Sequence, residues 1–321
     1  MHYQPPDLDM HREPLLNLLT EIINGPGRPE SRAFNKLMRR HPRVDGGLYS
    51  RSDLIYAYRE MAGVDLPPYD EEIMERLRRK PIRTMSGVTP VTVLTKPFPC
   101  PGKCIFCPND VRMPKSYLSD EPGAQRAEQN AFDPYLQTYT RLQTYHNLGH
   151  PVDKIEIIVL GGTWSYYPET YQIWFIKRIF DAMHDFGDNI DRREEVRDAL
   201  KSVSQLHPEH NVTNVTVQGI SMDQSYNQVV QSIYKDEMQR SQAVSTAITA
   251  GVVERSPVDE FATWEELEAV HKHNETAPCR SVGLVIETRP DHISVEEVLR
   301  VGRLGCTKVQ IGFQSLNDAV L

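Results

Sequence analysis

The chain has 321 residues, with 36 Lys+Arg against 44 Asp+Glu, a formal net charge of −8, 39% hydrophobic and 25% charged residues. That length holds about two domains and a sizeable core, and that balance excludes a disordered polyampholyte or a membrane-embedded chain. Five cysteines are an odd number, and three of them share eight positions, which argues against a secreted disulfide scaffold and for cytosolic thiolates with a chemical task. No run approaches the ~18 uncharged apolar residues of a spanning helix. The opening MHYQPPDLDMHREPLL lacks a basic stretch followed by an apolar one, so a secretory leader is not expected. The expected location is cytoplasmic.

Residues 1–80 read as a small helical domain. Leu15, Leu18, Leu19, Ile22 and Ile23 recur at helical spacing until Asn24-Gly25-Pro26-Gly27 breaks the run. Further turns fall at Asp45-Gly46-Gly47 and Leu66-Pro67-Pro68. Within this region Arg28, Arg32, Lys36, Arg39, Arg40, Arg43 and Arg51 face only Glu30 and Asp45. Such local positive density in an acidic chain suits a nucleic-acid footprint, because phosphate contacts depend on local charge. A solvated helical face would read the same way. A second basic cluster, Arg76, Arg78, Arg79, Lys80 and Arg83, follows an amphipathic helix near 71–79. Tyr49, Tyr56 and Tyr58 interleave with Arg51 and Arg59 and either stack on bases or fill a helical core.

After Lys80-Pro81 the pattern changes. Residues 91–95 are β-branched and predict a strand, which leads into Cys100-Pro101-Gly102-Lys103-Cys104-Ile105-Phe106-Cys107. Helix-compatible sequence covers 123–148. A buried strand at 154–160 then runs into Gly161-Gly162-Thr163, with helices expected at 170–184 and 192–205. Residues 206–259 are rich in Gln, Asn, Ser and Val and read as an insertion with some helix between 224 and 248. Its Asn211-Val212-Thr213 and Asn214-Val215-Thr216 match the glycosylation pattern by chance. A strand at 282–286 leads into Glu287-Thr288-Arg289-Pro290-Asp291, Ser294 caps a helix over 295–304, and a last strand covers 307–313. Strands alternating with helices imply a parallel sheet with its ligand site at the strands' C-terminal ends. Every motif falls there.

The C-x3-C-x2-C spacing places three thiolates on one tight loop. They can hold three irons of a four-iron, four-sulfur cluster and leave the fourth iron open to a ligand. Structural zinc normally takes four closed ligands, and no fourth Cys or His lies at short spacing. Three cysteines rarely share a Pro/Gly-rich loop for packing alone. The spacing is that of radical S-adenosylmethionine (SAM) enzymes, and Phe106 before the last cysteine fits it. Gly161, Gly162 and Thr163 resemble the GGE-type SAM motif, with Thr163 in place of the acid, where a bare backbone could approach the methionine amino group. Glu287 and Arg289 could bind polar groups of SAM or form a structural ion pair. Gln314 and Ser315 are candidates for the ribose or carboxylate. Cys279 and Cys306 read as small core residues.

The segments RTMSGVTPVTVLTKPFPCPGKCIFCPND, PKSYLSDEPGAQRAEQNAFDPYLQTYTRLQTYHNLGHPVDKIEIIVLGGTWSYYP, NETAPCRSVGLVIETRPD and VQIGFQSLND resemble the catalytic subunit of Elongator. They are more similar still to its stand-alone bacterial and archaeal homologues. The resemblance covers about residue 81 to the end, the 206–259 insertion apart. It implies an α/β chain made of a partial, incomplete radical SAM βα barrel (81–321) after a small helical, basic tRNA-binding region (1–80). It further implies a transferase that installs a 5-carboxymethyl-type group on the wobble uridine of tRNA from acetyl-CoA. Cleavage of SAM at the cluster would supply a 5′-deoxyadenosyl radical. Carried over residue by residue, Cys100, Cys104 and Cys107 ligate the [4Fe–4S] cluster, Gly161–Thr163 hold SAM, and Lys154 in the GHPVDK segment contacts acetyl-CoA. The family continues through further barrel strands, a zinc-binding linker and an acetyltransferase-like domain, so the resemblance implies a fragment of a longer product with uncertain activity of its own. Self-association as a homodimer stays open. The competing readings are a tRNA-binding fragment without full chemistry, and another radical SAM enzyme with a small-molecule substrate.

Overall fold

The structure is a computed structural model that describes residues 3–102, 104, 107–206, 225–232, 246, 256, 258–312, 315 and 317, the side chains of 203–206 apart. The expectations for Phe106, Gln314 and most of the 206–259 insertion therefore lie outside the described residues. The chain divides into two compact units, Met1–Thr89 with Gln143–Val152, and Pro90–Leu142 with Asp153–Leu321. No helix among the described residues is long and apolar enough to cross a membrane.

The first unit carries α1 (Leu8–Asn24), α2 (Ser31–Arg40), α3 (Arg51–Met61) and α4 (Glu71–Leu77). Asp7 starts α1 by accepting from the Asp9 amide, and Ser50 with Asp53 forms a reciprocal capping box on α3. The apolar stripes meet in one core that includes Leu15, Leu18, Phe34, Leu37, Ile55 and Leu77. Tyr49 and Tyr58 are buried in that core, and the Tyr49 hydroxyl meets His11 Nδ1 at 2.9 Å. Of the two readings open for those tyrosines, packing is the one realised.

The second unit is an α/β layer. Its sheet has the order β1 (Thr89–Leu94), β2 (Lys154–Leu160), β3 (Arg280–Thr288), β4 (Lys308–Ile311). β2 and β3 pair in parallel with Lys154 opposite Arg280 and Val159 opposite Ile286; β3 and β4 pair in parallel with Glu287 opposite Gln310. Between strands run α5 (Pro122–Gln129), α6 (Pro134–Asn147), α7 (Glu169–Gly187), α8 (Arg193–Leu206), α9 (Trp264–Asn274) and α10 (Val295–Arg303). Parallel strands need such crossovers. Ser294 caps α10 as expected, accepting from the Glu297 amide. β4 leaves Val309 and Ile311 exposed.

The single helix expected over 123–148 is two. Ala131 and Phe132 take left-handed backbone, with φ of 51° and 54°, and Asp133 restarts the helix by accepting from the Leu136 amide at 2.9 Å. The other Asp133 oxygen receives Arg178 Nη2 of α7 at 2.8 Å, and both side chains are buried. Removing one partner of a buried pair strands the other charge. Asp133→Ala should therefore cost about 3–5 kcal/mol in urea unfolding, while a loss under about 1 kcal/mol would mean that the guanidinium finds water or another acceptor.

Candidate active site

The loops leaving the C-terminal ends of β1, β2 and β3 meet around one cavity of about 510 Å³, within the common range for ligand sites. Cys100, Cys104 and Cys107 line it from the first loop, Gly161, Gly162 and Thr163 from the second, and Glu287 and Arg289 from the third. Cys100 and Cys104 are buried; Cys107 is half-buried. All three sulfurs have polar neighbours. Cys100 Sγ lies 3.4 Å from Thr163 Oγ1, and Cys107 Sγ lies 3.4 Å from Ser116 Oγ. Arg289 Nη1 donates to Cys104 Sγ at 3.0 Å. Its Nε and Nη2 hold the Asp291 carboxylate at 2.9 and 2.8 Å, which keeps that carboxyl below its usual range.

Two glycines shape this geometry. A Cβ on Gly102 would stand 2.2 Å from Arg289 Nη1, so glycine lets the guanidinium reach the sulfur. Gly161 has φ +151°, and a Cβ there would fall 1.8 Å from Thr95 Oγ1. The bareness of Gly161 thus first serves packing against Thr95, whose hydroxyl bonds Tyr167 Oη at 2.8 Å. Gly162 meets only ordinary contacts at that distance range.

The donor set suits an iron–sulfur cluster. Three soft thiols share a cavity with two hydroxyls and a guanidinium able to offset thiolate charge. Among the described residues, no three His, Cys, Asp or Glu side chains gather around one point as a single ion would require. A four-iron cluster asks for less convergence, because each cysteine takes a separate corner.

Several lining residues carried no signal in the sequence. Lys115, Ser116 and Tyr117 come from the irregular stretch after the cysteines, and Thr288, Gln310 and Gly312 complete the wall. Ser116 holds φ +87°, unusual for a residue other than glycine and a conformation often found at functional sites. Ser315 is half-buried and caps the Asn317 amide; it does not line the cavity. Lys154 is exposed at the start of β2, roughly 20 Å from the cavity end at about 3.3 Å per residue. Cys279 is buried, its thiol pushed up to about 12 by burial, whereas Cys306 is only half-buried, contrary to the expectation of a core position.

The basic side chains of the first unit fall into two sets. Arg40 pairs with Glu21, Arg43 with Asp45 and Asp53, and Arg28 donates to the Arg78 carbonyl at 3.0 Å. Arg51 stacks 3.7 Å above Phe34 and donates to the Leu77 carbonyl; burial holds its pKa below the usual value. Arg76 and Arg78 likewise bind backbone carbonyls. Arg32, Lys36 and Arg39 differ. They are exposed on α2 at i, i+4 and i+7, opposite the buried Phe34, Leu37 and Met38, and none has a carboxylate partner among the described residues.

No family profile matches the chain. The tRNA uridine(34) acetyltransferase of Methanocaldococcus infernus is 34% identical over 251 residues, covering 76% of this chain and 33% of that protein. The protein of the same name from Dehalococcoides mccartyi is 33% identical, covering 75% of this chain and 36% of that one. Elongator complex protein 3 of Homo sapiens is 28% identical over 265 residues, covering 79% and 35%. The chain thus spans about a third of the length of these relatives. A solved structure, the archaeal Methanocaldococcus infernus Elp3 with an N-terminal deletion (1–46), is 26% identical, covers 73% of this chain and 30% of that one, and has a TM-score of 0.37.

Proposed function

The chain is a homologue of the tRNA uridine(34) acetyltransferases and of Elongator complex protein 3, and from that kinship and its cavity we propose that it carries the radical SAM part of a transferase that modifies the wobble uridine of tRNA. The observation behind this reading is the convergence of Cys100, Cys104 and Cys107 with Gly161–Thr163 and Glu287 at one set of strand ends. When bound, the cluster and SAM supply radical chemistry, and acetyl-CoA supplies the group transferred.

The protein's part is placement. Cys100, Cys104 and Cys107 would hold the cluster, with Arg289 donating to the Cys104 sulfur and Asp291 fixing the guanidinium. Gly162 leaves room for a ligand beside Thr163. Hydrogen-bond donors at the sulfurs and a walled cavity both protect reactive chemistry from side reactions. Lys154, set apart from this cavity, is the proposed contact for acetyl-CoA phosphate or carbonyl groups.

Arg32, Lys36 and Arg39 are the proposed tRNA contacts, since their charge is not spent within the fold. Replacing all three by glutamine should weaken tRNA binding and flatten the salt dependence by about 0.7–0.9 per lost phosphate contact. Filter binding across a salt series reads both. Arg40→Gln and Arg43→Gln should leave the slope nearly unchanged, because those cations are already paired. An unchanged slope in the triple variant would remove α2 from the tRNA surface.

A further inference from the structure

Cys100 stands between two prolines. Pro99 and Pro101 carry no N–H, so neither neighbour can donate a bond that fixes the loop, and Cys100 itself is only 7% exposed. Buried backbone groups need partners. Both partners come from one side chain 127 residues further along. The Cys100 amide donates to Asn227 Oδ1 at 2.9 Å, and Asn227 Nδ2 donates to the Cys100 carbonyl at 2.6 Å. This is the two-way exchange that a residue of an adjacent antiparallel strand would make. It fixes the backbone that carries the Cys100 sulfur.

Asn227 belongs to a short helix over 226–232, inside the stretch 206–259 that reads as an insertion. Ser225 and Gln228 start the helix. The Gln228 amide bonds Ser225 Oγ at 3.4 Å, and Gln228 Oε1 accepts from the Ser225 amide at 2.8 Å. Tyr226 anchors it: the ring is buried, the hydroxyl donates to the Met113 carbonyl at 2.9 Å, and Tyr226 and Val230 pack against Val111. The helix therefore touches the chain at the first cysteine and again beyond the last. Nothing in the sequence marks Asn227, one polar residue in a run rich in Gln, Asn and Ser.

We propose that Asn227 is a positioning residue for the iron–sulfur cluster, its side-chain amide holding the Cys100 backbone, and with it the thiolate, in the ligating arrangement. The insertion is then part of the cluster site. This rests on the cluster reading above; Asn227 acts through Cys100 and is not itself a ligand. Tyr226 and Val230 seat the helix, and Asn227 alone of the three bonds to the ligand's backbone.

Hydrogen exchange of the metal-free chain, read by mass spectrometry over the segment that holds Cys100, is the first arm of the test. Asn227→Ala should speed exchange at the Cys100 amide by about 3- to 10-fold, the loss of one net hydrogen bond. The second arm is EPR of the anaerobically reconstituted, reduced chain with its rate of iron loss in air. Asn227→Ala should shift the g values and lose iron about 10-fold faster, as removal of an outer-shell partner does elsewhere. Asn227→Asp is isosteric, keeps the acceptor and loses the donor. Its exchange should fall between wild type and Asn227→Ala, and its EPR signal should also move, because a carboxyl group then lies beside the Cys100 backbone. Tyr226→Phe, which frees the Met113 carbonyl and leaves Asn227 in place, should match the wild type in both arms. Thermal midpoints establish that each variant is folded. Wild-type exchange in Asn227→Ala, or unchanged g values in both Asn227 variants, would overturn the proposal. So would a Tyr226→Phe chain that reproduces the changes of Asn227→Ala, since Asn227 would then only pack the insertion down. A wild-type chain that takes up no iron would instead overturn the cluster reading, while the exchange arm would still decide whether Asn227 holds Cys100.

Discussion

Alanine at Cys104 should strip most of the iron from the reconstituted chain, from about four per chain to less than one. The expectation follows from the loop itself. Three thiols reach one cavity whose described lining holds no further Cys or His and only the Glu287 carboxylate, a hard donor that replaces a thiolate poorly. Cys104 is the most committed of the three, being buried and in contact with the Arg289 guanidinium. Cys100→Ala should behave alike, while Cys107→Ala, at the half-buried position, should lose the cluster more gradually on exposure to air. Cys279→Ala and Cys306→Ala are the controls, since neither lines the cavity. Iron and sulfide assays with the visible absorbance of the cluster read all five. Full iron in the Cys104 variant would show that the ligand set lies elsewhere.

A second large effect is expected from one methyl group. Gly161→Ala should destabilise the second unit by about 2–4 kcal/mol, combining a severe overlap with an unfavourable backbone angle. The overlap is with Thr95 Oγ1, at 1.8 Å from the new Cβ, and the backbone has φ +151°. Thr95 cannot simply swing aside, because its hydroxyl bonds Tyr167 Oη, which in turn donates to the Lys96 carbonyl at 2.8 Å. Gly162→Ala, one residue on, meets nothing closer than 3.4 Å and should cost under about 1 kcal/mol. Urea unfolding of the two variants side by side checks the contrast. Equal losses would mean that glycine is needed in this turn for its flexibility alone.

The order of strands and helices in the second unit was readable because each strand is a short apolar run stopped by Gly, Pro or an acidic residue. Strand ends carry the motifs, so the parallel order β1-β2-β3-β4 brings Cys100, Gly161 and Glu287 together. The break between α5 and α6 is marked locally only by Asp133-Pro134, an N-cap residue followed by proline at the first helical position, which a single helix over 123–148 overlooks. Ala131 and Phe132 give no sign by type of the left-handed backbone that joins the two helices, and the contact of the other Asp133 oxygen with Arg178 is tertiary. The fates of the arginines were hidden for the same reason. Arg78 looks like any other member of its basic cluster until the chain returns 71 residues later and offers the Gly149 carbonyl. Lys115 and Tyr117 sit in irregular backbone, where no periodicity marks a side chain as facing inward. The choice between base stacking and packing for Tyr49 and Tyr58 likewise needed the core around them.

The central claim is that this stretch of chain builds a working SAM site at its cysteine loop. The most direct measurement is release of 5′-deoxyadenosine from SAM by the anaerobically reconstituted, dithionite-reduced protein, followed by mass spectrometry. The account predicts release that disappears in each of the Cys100, Cys104 and Cys107 alanine variants and persists in Cys279→Ala. A wild-type chain that holds its full cluster and binds SAM yet releases none would contradict it.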